Sequence, residues 1–321
     1  MKIPFALRSD FTLAAAGVLL IFLVIALERF PGERWWPTLL LTYMPQQMWL
    51  IPPVILTIYM LIHHKWWLAT VSVVPAIFVL VFLMAVPFPH SSPKMPSQLR
   101  VLTWNLYYGR GGSRLPVLFT QAMPDIICLQ EANPWALRHL DETLALPKFK
   151  GWNAKVCGEL VILSRFSLKR LGTTHSALWV SADVDGEEVV IANVHFAVPF
   201  KPRLSSMTPG NVGAADSLRM KQADEILRAL PPGVPTIVCG DFNTPPNTRI
   251  YRELSSVMTN AFKSSGSGLG LSYKRQIPMV RIDHIFSKGN ISPVKCWMPK
   301  IDASNHRPMC ADFSLYWAYN H

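Results

Sequence analysis

The stretch "TIVCGDFNTPPNT" (Thr236–Thr248) decides how the chain is read. A β-branched, apolar run carries a strand up to Gly240 and then ends in two polar side chains, Asp241 and Asn243, with Phe242 between them. A buried strand has no use for an acid at its tip, whereas reactive groups do gather where loops leave a rigid scaffold. Side chains repeat every second residue along a strand, so Asp241 and Asn243 are expected on one side and Phe242 on the other, inside the core. Pro245 and Pro246 then turn the chain away.

The same pattern recurs on both sides of this stretch. Strands are read at "LRVLTWNL", "DIICLQE", "ELVILSRF", "LWVSADVD", "EEVVIANVHF", "RIDHIFSK" and "MCADFSLYW". Helices are read at "RLPVLFTQAMP", at "SLRMKQADEILRAL" with Ser217 as its cap, and at "TRIYREL". Several strands follow one another without a helix between them, which predicts an α/β sandwich of mixed sheets with helices outside, not a doubly wound parallel sheet. Polar residues stand directly after these apolar runs: Asn105, Glu131, His195, Asp241 with Asn243, and the group Asp283, Asn305 and His306. Singly, each has an ordinary explanation as a turn former, a structural histidine or a solvated acid. Their recurrence at almost every strand end points to one shared site.

In this order "TWN", "CLQE", "VILSR", "NVHF", "GDFN", "RIDHIF" and "SNHRP" resemble the endonuclease/exonuclease/phosphatase superfamily of DNase-I-like, metal-dependent phosphoesterases, over roughly Leu99 to Trp317. The resemblance implies a four-layer sandwich, two central sheets covered by helices, with the site at one end. Phosphoester cleavage needs an activated water and neutralisation of phosphoryl charge, and hard oxygen ligands suit Mg²⁺, with Mn²⁺ as its substitute. Glu131 is the leading metal ligand, with Asn105 beside it. Asp241 orients or deprotonates the water, and Asn243, with Asn105, holds the phosphate. His306 stabilises the transition state, Asp283 fixes its tautomer, and His195 contacts the phosphate from another side. Asn305 stands where the family commonly has Asp, so a neutral ligand replaces an anionic one and a single-metal site is expected. Tyr107 stands where some nuclease members place an acid.

The 321 residues are 50% hydrophobic and only 16% charged, too apolar for an ordinary soluble chain, and the excess lies before residue 90. "FTLAAAGVLLIFLVIAL" (Phe11–Leu27) is long enough to cross a bilayer at about 1.5 Å per residue. A second, proline-kinked span is read over residues 39–62 and a third over Trp66–Val86, with Trp35-Trp36 and Trp66-Trp67 at span edges. The expected organisation is therefore a three-helix membrane anchor (1–90), a Pro/Ser linker (91–98) that frees the next part, and a catalytic domain (99–321). Lys2, Arg8 and Lys65 flank one side of the spans and Arg29, Arg34, Lys94 and Arg100 the other, a balance that does not set orientation. The resemblance to membrane-anchored members favours a catalytic part on the outer, periplasmic or extracellular, face of the cell membrane.

Residues 1–90 hold five Lys+Arg and three Asp+Glu, which leaves 26 and 17 for the remainder. A basic part held near a bilayer suits a phosphate-bearing partner, either lipid head group or nucleic acid. Two loops rich in Lys and Arg, Pro199–Arg219 and Lys263–Arg281, are expected to meet it. The five cysteines show no C-x-x-C spacing, so a zinc site is not supported, and no protein partner can be read. The expected activity is a membrane-anchored phosphoesterase on a lipid-linked ester. A tethered DNA or RNA nuclease is the alternative, and a catalytically inactive binding module ranks third.

Overall fold

Alternate residues of β1 (Leu99–Asn105) belong to two different cores. Leu99 and Val101 pack between the sheets, while Leu102 and Trp104 pack outward under helices. A strand buried on both faces in this way needs cover on both, and that requirement produces the layers. In the computed structural model, which describes residues 5–87, 96–199, 208–274 and 279–316, four layers are present.

The membrane-like part comprises α1 (Phe5–Arg29), α2 (Trp36–Tyr43), α3 (Ile51–Ile62) and α4 (Trp66–Phe78). The sandwich begins at β1 and continues with α5 (Leu115–Ala122), β2 (Ile126–Gln130), α6 (Pro134–Leu144), β3 (Asn153–Cys157) and β4 (Leu160–Ser164). Next come β5 (Leu168–Thr173), β6 (Ala177–Val184), β7 (Glu187–His195), α7 (Pro209–Ala229) and β8 (Thr236–Asp241). The remaining elements are α8 (Arg249–Val257), β9 (Thr259–Asn260), α9 (Ala261–Ser265), β10 (Asp283–Lys288), β11 (Ile291–Trp297) and β12 (Met309–Leu315).

Two six-stranded sheets run β11-β12-β1-β2-β4-β3 and β5-β6-β7-β8-β10-β9. Each has one parallel pair near its centre, β1 with β2 and β7 with β8. Helices α5 and α6 cover the first sheet through Leu118, Phe119 and Leu140; α7 and α8 cover the second through Ile226, Ile250 and Leu254. The expected DNase-I-like, four-layer sandwich is the observed fold. All five cysteines are free, and four of them are buried.

Ser9–Arg29 and Trp66–Leu83 are long and apolar enough to cross a membrane. Trp36–Tyr43 and Gln46–Ile62, bent by 84°, make a third only if the pair is one broken span. The break falls at Pro45, whose extended backbone and missing N–H end the helical ladder.

The linker read over 91–98 lies outside the described residues as far as 95. Apolar helices and sandwich are joined by buried polar contacts. Asn247 Nδ2 donates to Glu28 Oε2 at 2.6 Å, and Arg281 Nη2 donates to the carbonyls of Met84 and Ala85 at 3.0 Å each. Arg219 Nη1 pairs with Glu33 Oε1 at 3.1 Å. Two corrections follow. Helix α7 starts at Pro209, with Thr208 Oγ1 accepting from the Asn211 N–H, so Ser217 lies in mid-helix and does not cap it. The two expected basic loops also lose their terminal arginines to the interior, since Arg219 and Arg281 are each 1% exposed and spend their guanidinium groups on the apolar helices.

Candidate active site

Strand register brings the site together. In the second sheet His195 lies opposite Asp241 across β7 and β8, and Asp283 lies opposite Asp241 across β8 and β10. In the first sheet Asn105 pairs with Gln130, and Glu131 follows. Buried Gln130 and Asn193 tie the two sheets beneath these ends: Gln130 Nε2 donates to Asn193 Oδ1 at 2.6 Å, and Asn193 Nδ2 donates to the carbonyls of Leu129 and Val161. Gly240 allows β7 and β8 to approach, because its φ is +150° and a Cβ there would lie 1.9 Å from the Val194 carbonyl oxygen.

Asp241 is the hub. Its Oδ2 accepts from Asn105 Nδ2 at 3.0 Å, and the same nitrogen donates to Glu131 Oε1 at 2.9 Å, so one amide holds a carboxylate from each sheet. Tyr107 N–H fixes the amide by donating to Asn105 Oδ1, and Tyr108 N–H donates to Glu131 Oε2. His195 Nε2 and His306 Nε2 each lie 3.8 Å from Asp241 Oδ2. The other nitrogen of each ring is held by a second acid: His306 Nδ1 by Asp283 Oδ2 at 2.9 Å and His195 Nδ1 by Glu159 Oε1 at 2.6 Å. Both imidazoles are thus oriented by a carboxylate, with Nε2 left facing the hub.

The supports around His306 are polar and closely spaced. Ser304 Oγ donates to the Asn105 carbonyl and accepts from the His306 N–H, and Trp104 Nε1 donates to the His306 carbonyl. The Tyr273 ring lies 4.9 Å from the imidazole, centroid to centroid. Tyr107, Tyr108, Glu131 and Asn243 all have left-handed backbones, with φ between 48° and 53°. Such strain in non-glycine residues concentrates where geometry is dictated by function.

Charge follows from this packing. Burial pulls the His306 imidazole down, but Asp283 and Asp241 outweigh it, and the pKa rises to about 9. At His195 burial again acts downward and is overcome by the Glu159 hydrogen bond and by Asp241, which also brings the pKa to about 9. Burial, reinforced by the charge of Asp283, raises Asp241 above the ordinary carboxylate range. Glu159 is held low by its hydrogen bond to His195.

Every residue singled out in the sequence can now be placed. Asn105, Glu131, His195, Asp241, Asp283 and His306 converge. Asn243 is adjacent but differently employed: β8 ends at Asp241, so turn geometry replaces strand alternation at this point. Asn243 N–H donates to Asp241 Oδ1, its Nδ2 donates to the Phe196 carbonyl, and its own carbonyl accepts from Arg219 Nη2 and the Tyr43 hydroxyl. Phe242 is fully buried against Phe196 and Phe286, as expected. Asn305 is half-buried beside His306, and its side chain makes no hydrogen bond among the described residues. Sequence reasoning did not single out Glu159, Ser304, Trp104, Arg219, Glu33 or Tyr43. Only Glu159 carried a usable signal, as an acid directly before the strand "LVILS".

Two groups are suited to a cation. Ligand atoms of Asp241, Asp283 and His306 lie within 4.8 Å of one another, close enough to share an ion. In that group, however, the His306–Asp283 hydrogen bond already supplies the positive partner. Glu131 accepts two hydrogen bonds and makes no ion pair among the described residues.

The comparisons agree with this architecture. Residues 102–306 match the model of the Endonuclease/Exonuclease/phosphatase family. A search of curated proteins finds no match. Among solved structures, an endonuclease/exonuclease/phosphatase from Bacteroides vulgatus is 20% identical with a TM-score of 0.54, covering 68% of this chain and 98% of its own. One from Beutenbergia cavernae is 19% identical with a TM-score of 0.52, covering 68% and 72% respectively. A humanized TDP2 from D. rerio is 16% identical with a TM-score of 0.50, covering 67% and 98%. At these identities the structures speak for the fold, while the family model spans most of the chain and includes every converging site residue from Asn105 to His306. The chain belongs to the endonuclease/exonuclease/phosphatase family.

Proposed function

We propose that this chain is a membrane-anchored, divalent-metal-dependent phosphoesterase that hydrolyses a phosphodiester or phosphomonoester carried on a lipid. The observation that carries the reading is the placement of two carboxylate-held imidazoles, each with Nε2 3.8 Å from one Asp241 oxygen, beside a Glu131 that makes no ion pair among the described residues. Glu131 would hold Mg²⁺, or Mn²⁺ in its place, with Asn105 and Asn305 as neutral oxygen donors. The oxygen-rich set fits a hard cation that retains several waters. When bound, the ion neutralises phosphoryl charge and makes water more acidic.

The remaining steps belong to the chain itself. Asp241 orients the attacking water and receives its proton. His306 and His195, protonated at neutral pH, donate from Nε2 to the phosphoryl oxygens as charge develops there. Asp283 and Glu159 hold each ring through Nδ1 in the orientation that presents this N–H. Asn243 shapes the turn that carries Asp241, and Asn105 and His195 contact the phosphate.

Two features favour a lipid-borne ester over nucleic acid. The apolar helices are bonded to the "GDFNTPPNT" turn itself, which supports a site held close to a membrane. The arginines that close the two basic loops are buried, which subtracts from the exposed cationic surface that a nucleic-acid backbone requires. An outer-face position for the site is supported by the resemblance to anchored members. The test uses full-length protein in nanodiscs with Mg²⁺, offered phospholipid, polyprenyl pyrophosphate and DNA. Turnover of a lipid phosphoester with DNA intact is expected; brisk DNA cleavage without lipid turnover would install the nuclease reading instead.

A further inference from the structure

At the end of the first candidate span, the junction between apolar helices and sandwich contains two neighbouring cavities. One, of about 240 Å³, is lined by Arg29, Arg34, Arg249 and Arg252 together with Glu28 and Glu33. The other, of about 270 Å³, shares Glu28, Arg29 and Arg252 and extends to Ile25, Phe82 and Leu83. The first is rich in cationic groups and the second is apolar along one side.

Arginines outnumber carboxylates in the lining. Glu33 is committed to Arg219 and to the Arg249 N–H, and Glu28 Oε2 to Asn247. Arg249 has a partner in Asp216 at 3.2 Å. Arg252 Nη1 rests on the Asn247 carbonyl, which offers no counter-charge. Arg29 and Arg34 are exposed and make no ion pair among the described residues. Burial and the charges of Arg29 and Arg249 lower the Arg252 pKa, outweighing the opposing charges of Glu33 and Glu253. Glu28 Oε1 is buried with no hydrogen-bond partner among the described residues.

We propose that the joined cavities bind a phospholipid of the surrounding bilayer, its phosphate on Arg29, Arg34 and Arg252, a head-group N–H or O–H on Glu28 Oε1, and an acyl chain along Ile25, Phe82 and Leu83. Position argues for a lipid over a free phosphate. Arg29 closes α1 and Ser9–Arg29 is a candidate span, so this arginine lies at head-group level, where basic pockets between helices collect anionic groups. The apolar cavity shares three residues with the basic one, which suits a ligand that is charged at one end and hydrocarbon at the other. Because Arg29 belongs to α1 and Arg252 to α8, the lipid would bridge the apolar helices and the sandwich. The site is separate from the candidate active site, and the inference does not depend on any catalytic activity.

The test is native mass spectrometry of the full chain in detergent, titrated with phosphatidylethanolamine, phosphatidylglycerol and phosphatidylcholine of identical chains. Three variants accompany the wild type: R29Q/R34Q, R252Q, and K169Q/R170Q as a control of equal charge change on exposed β5 residues. R252Q leaves the residues flanking the spans unchanged and so cannot act through membrane topology. The wild type should retain one molecule of either donor-bearing lipid, and phosphatidylcholine, which lacks a head-group donor, more weakly. R29Q/R34Q should weaken retention about thirty-fold, R252Q about five-fold, and the control pair not at all. Equal losses in control and site variants, or retention unaffected by R29Q/R34Q and R252Q, would overturn the proposal. So would complete displacement of the lipid by millimolar inorganic phosphate, which would identify the ligand as the free anion.

Discussion

Glu33 and Arg219 form a buried ion pair, with Oε1 3.1 Å from Nη1 and side-chain exposures of 2% and 1%, between the turn after α1 and helix α7. The same guanidinium donates through Nη2 to the Asn243 carbonyl at 2.9 Å and to Thr244 Oγ1 at 2.6 Å. The apolar helices therefore help to hold the turn that follows Asp241. Removing one partner of such a pair leaves a desolvated charge, typically worth about 3–5 kcal/mol. Glu33→Gln should destabilise the full chain by about 3 kcal/mol in chemical denaturation, whereas the double change E33Q/R219M should recover part of that loss. Stability without recovered turnover is expected in the double variant, because the bonds to Asn243 and Thr244 stay missing.

Asp283 is predicted to matter through His306. With Asp283→Asn the Nδ1 partner is neutral, the tautomer is no longer enforced and the imidazole loses its nearest negative charge. Turnover of a phosphoester should fall about a hundred-fold or more with little change in KM. Steady-state kinetics on full-length protein check this.

Gly240→Ala tests the close approach of β7 and β8. The new Cβ would lie 1.9 Å from the Val194 carbonyl oxygen, a backbone atom that cannot swing aside. The two strands must separate and the ladder that aligns His195 with Asp241 is disturbed. A loss of about 3 kcal/mol or more is expected, measured by urea titration.

The pH behaviour has a definite sign. In the metal-free protein His195 and His306, both raised to about 9, should keep their protons through neutral pH, while His284, pushed down by burial and by Arg281 to about 3, should stay neutral. For the first two, the stabilisation is full below the unfolded value of about 6.5 and is lost as pH rises through about 9. His284 acts oppositely: its contribution is complete above about 6.5 and is lost as pH falls toward about 3. Nitrogen-15 NMR of the imidazoles reads all three titrations directly.

How far the sequence discloses the fold depends on burial. The central strands "VLTWN", "IICLQ" and "TIVCG" are apolar runs closed by polar tips, and they were readable, tips included. The strands Asn153–Cys157 and Leu168–Thr173 lie at sheet edges with partly exposed, polar side chains and give no comparable pattern. Pro293 within Ile291–Trp297 argues against a strand locally, although the position is an edge where Pro is tolerated. Helix α6 has a readable start in Asn133 and Pro134, whereas Gly210 and Gly213 mask the early start of α7. The supports of the site were less legible still. Glu33 and Arg219 are 186 residues apart, and a pairing at that distance leaves no periodic trace.

The central claim is that Glu131 and Asp241 together serve one metal-dependent hydrolysis. The most direct measurement is the initial rate of phosphoester cleavage by full-length protein as Mg²⁺ is titrated, for wild type and for E131A/D241A, with folding checked by circular dichroism. Saturable Mg²⁺ activation in the wild type, and a folded double variant without turnover at any Mg²⁺ concentration, is the predicted result. An unchanged rate in E131A/D241A, or a wild-type rate indifferent to chelation, would contradict it.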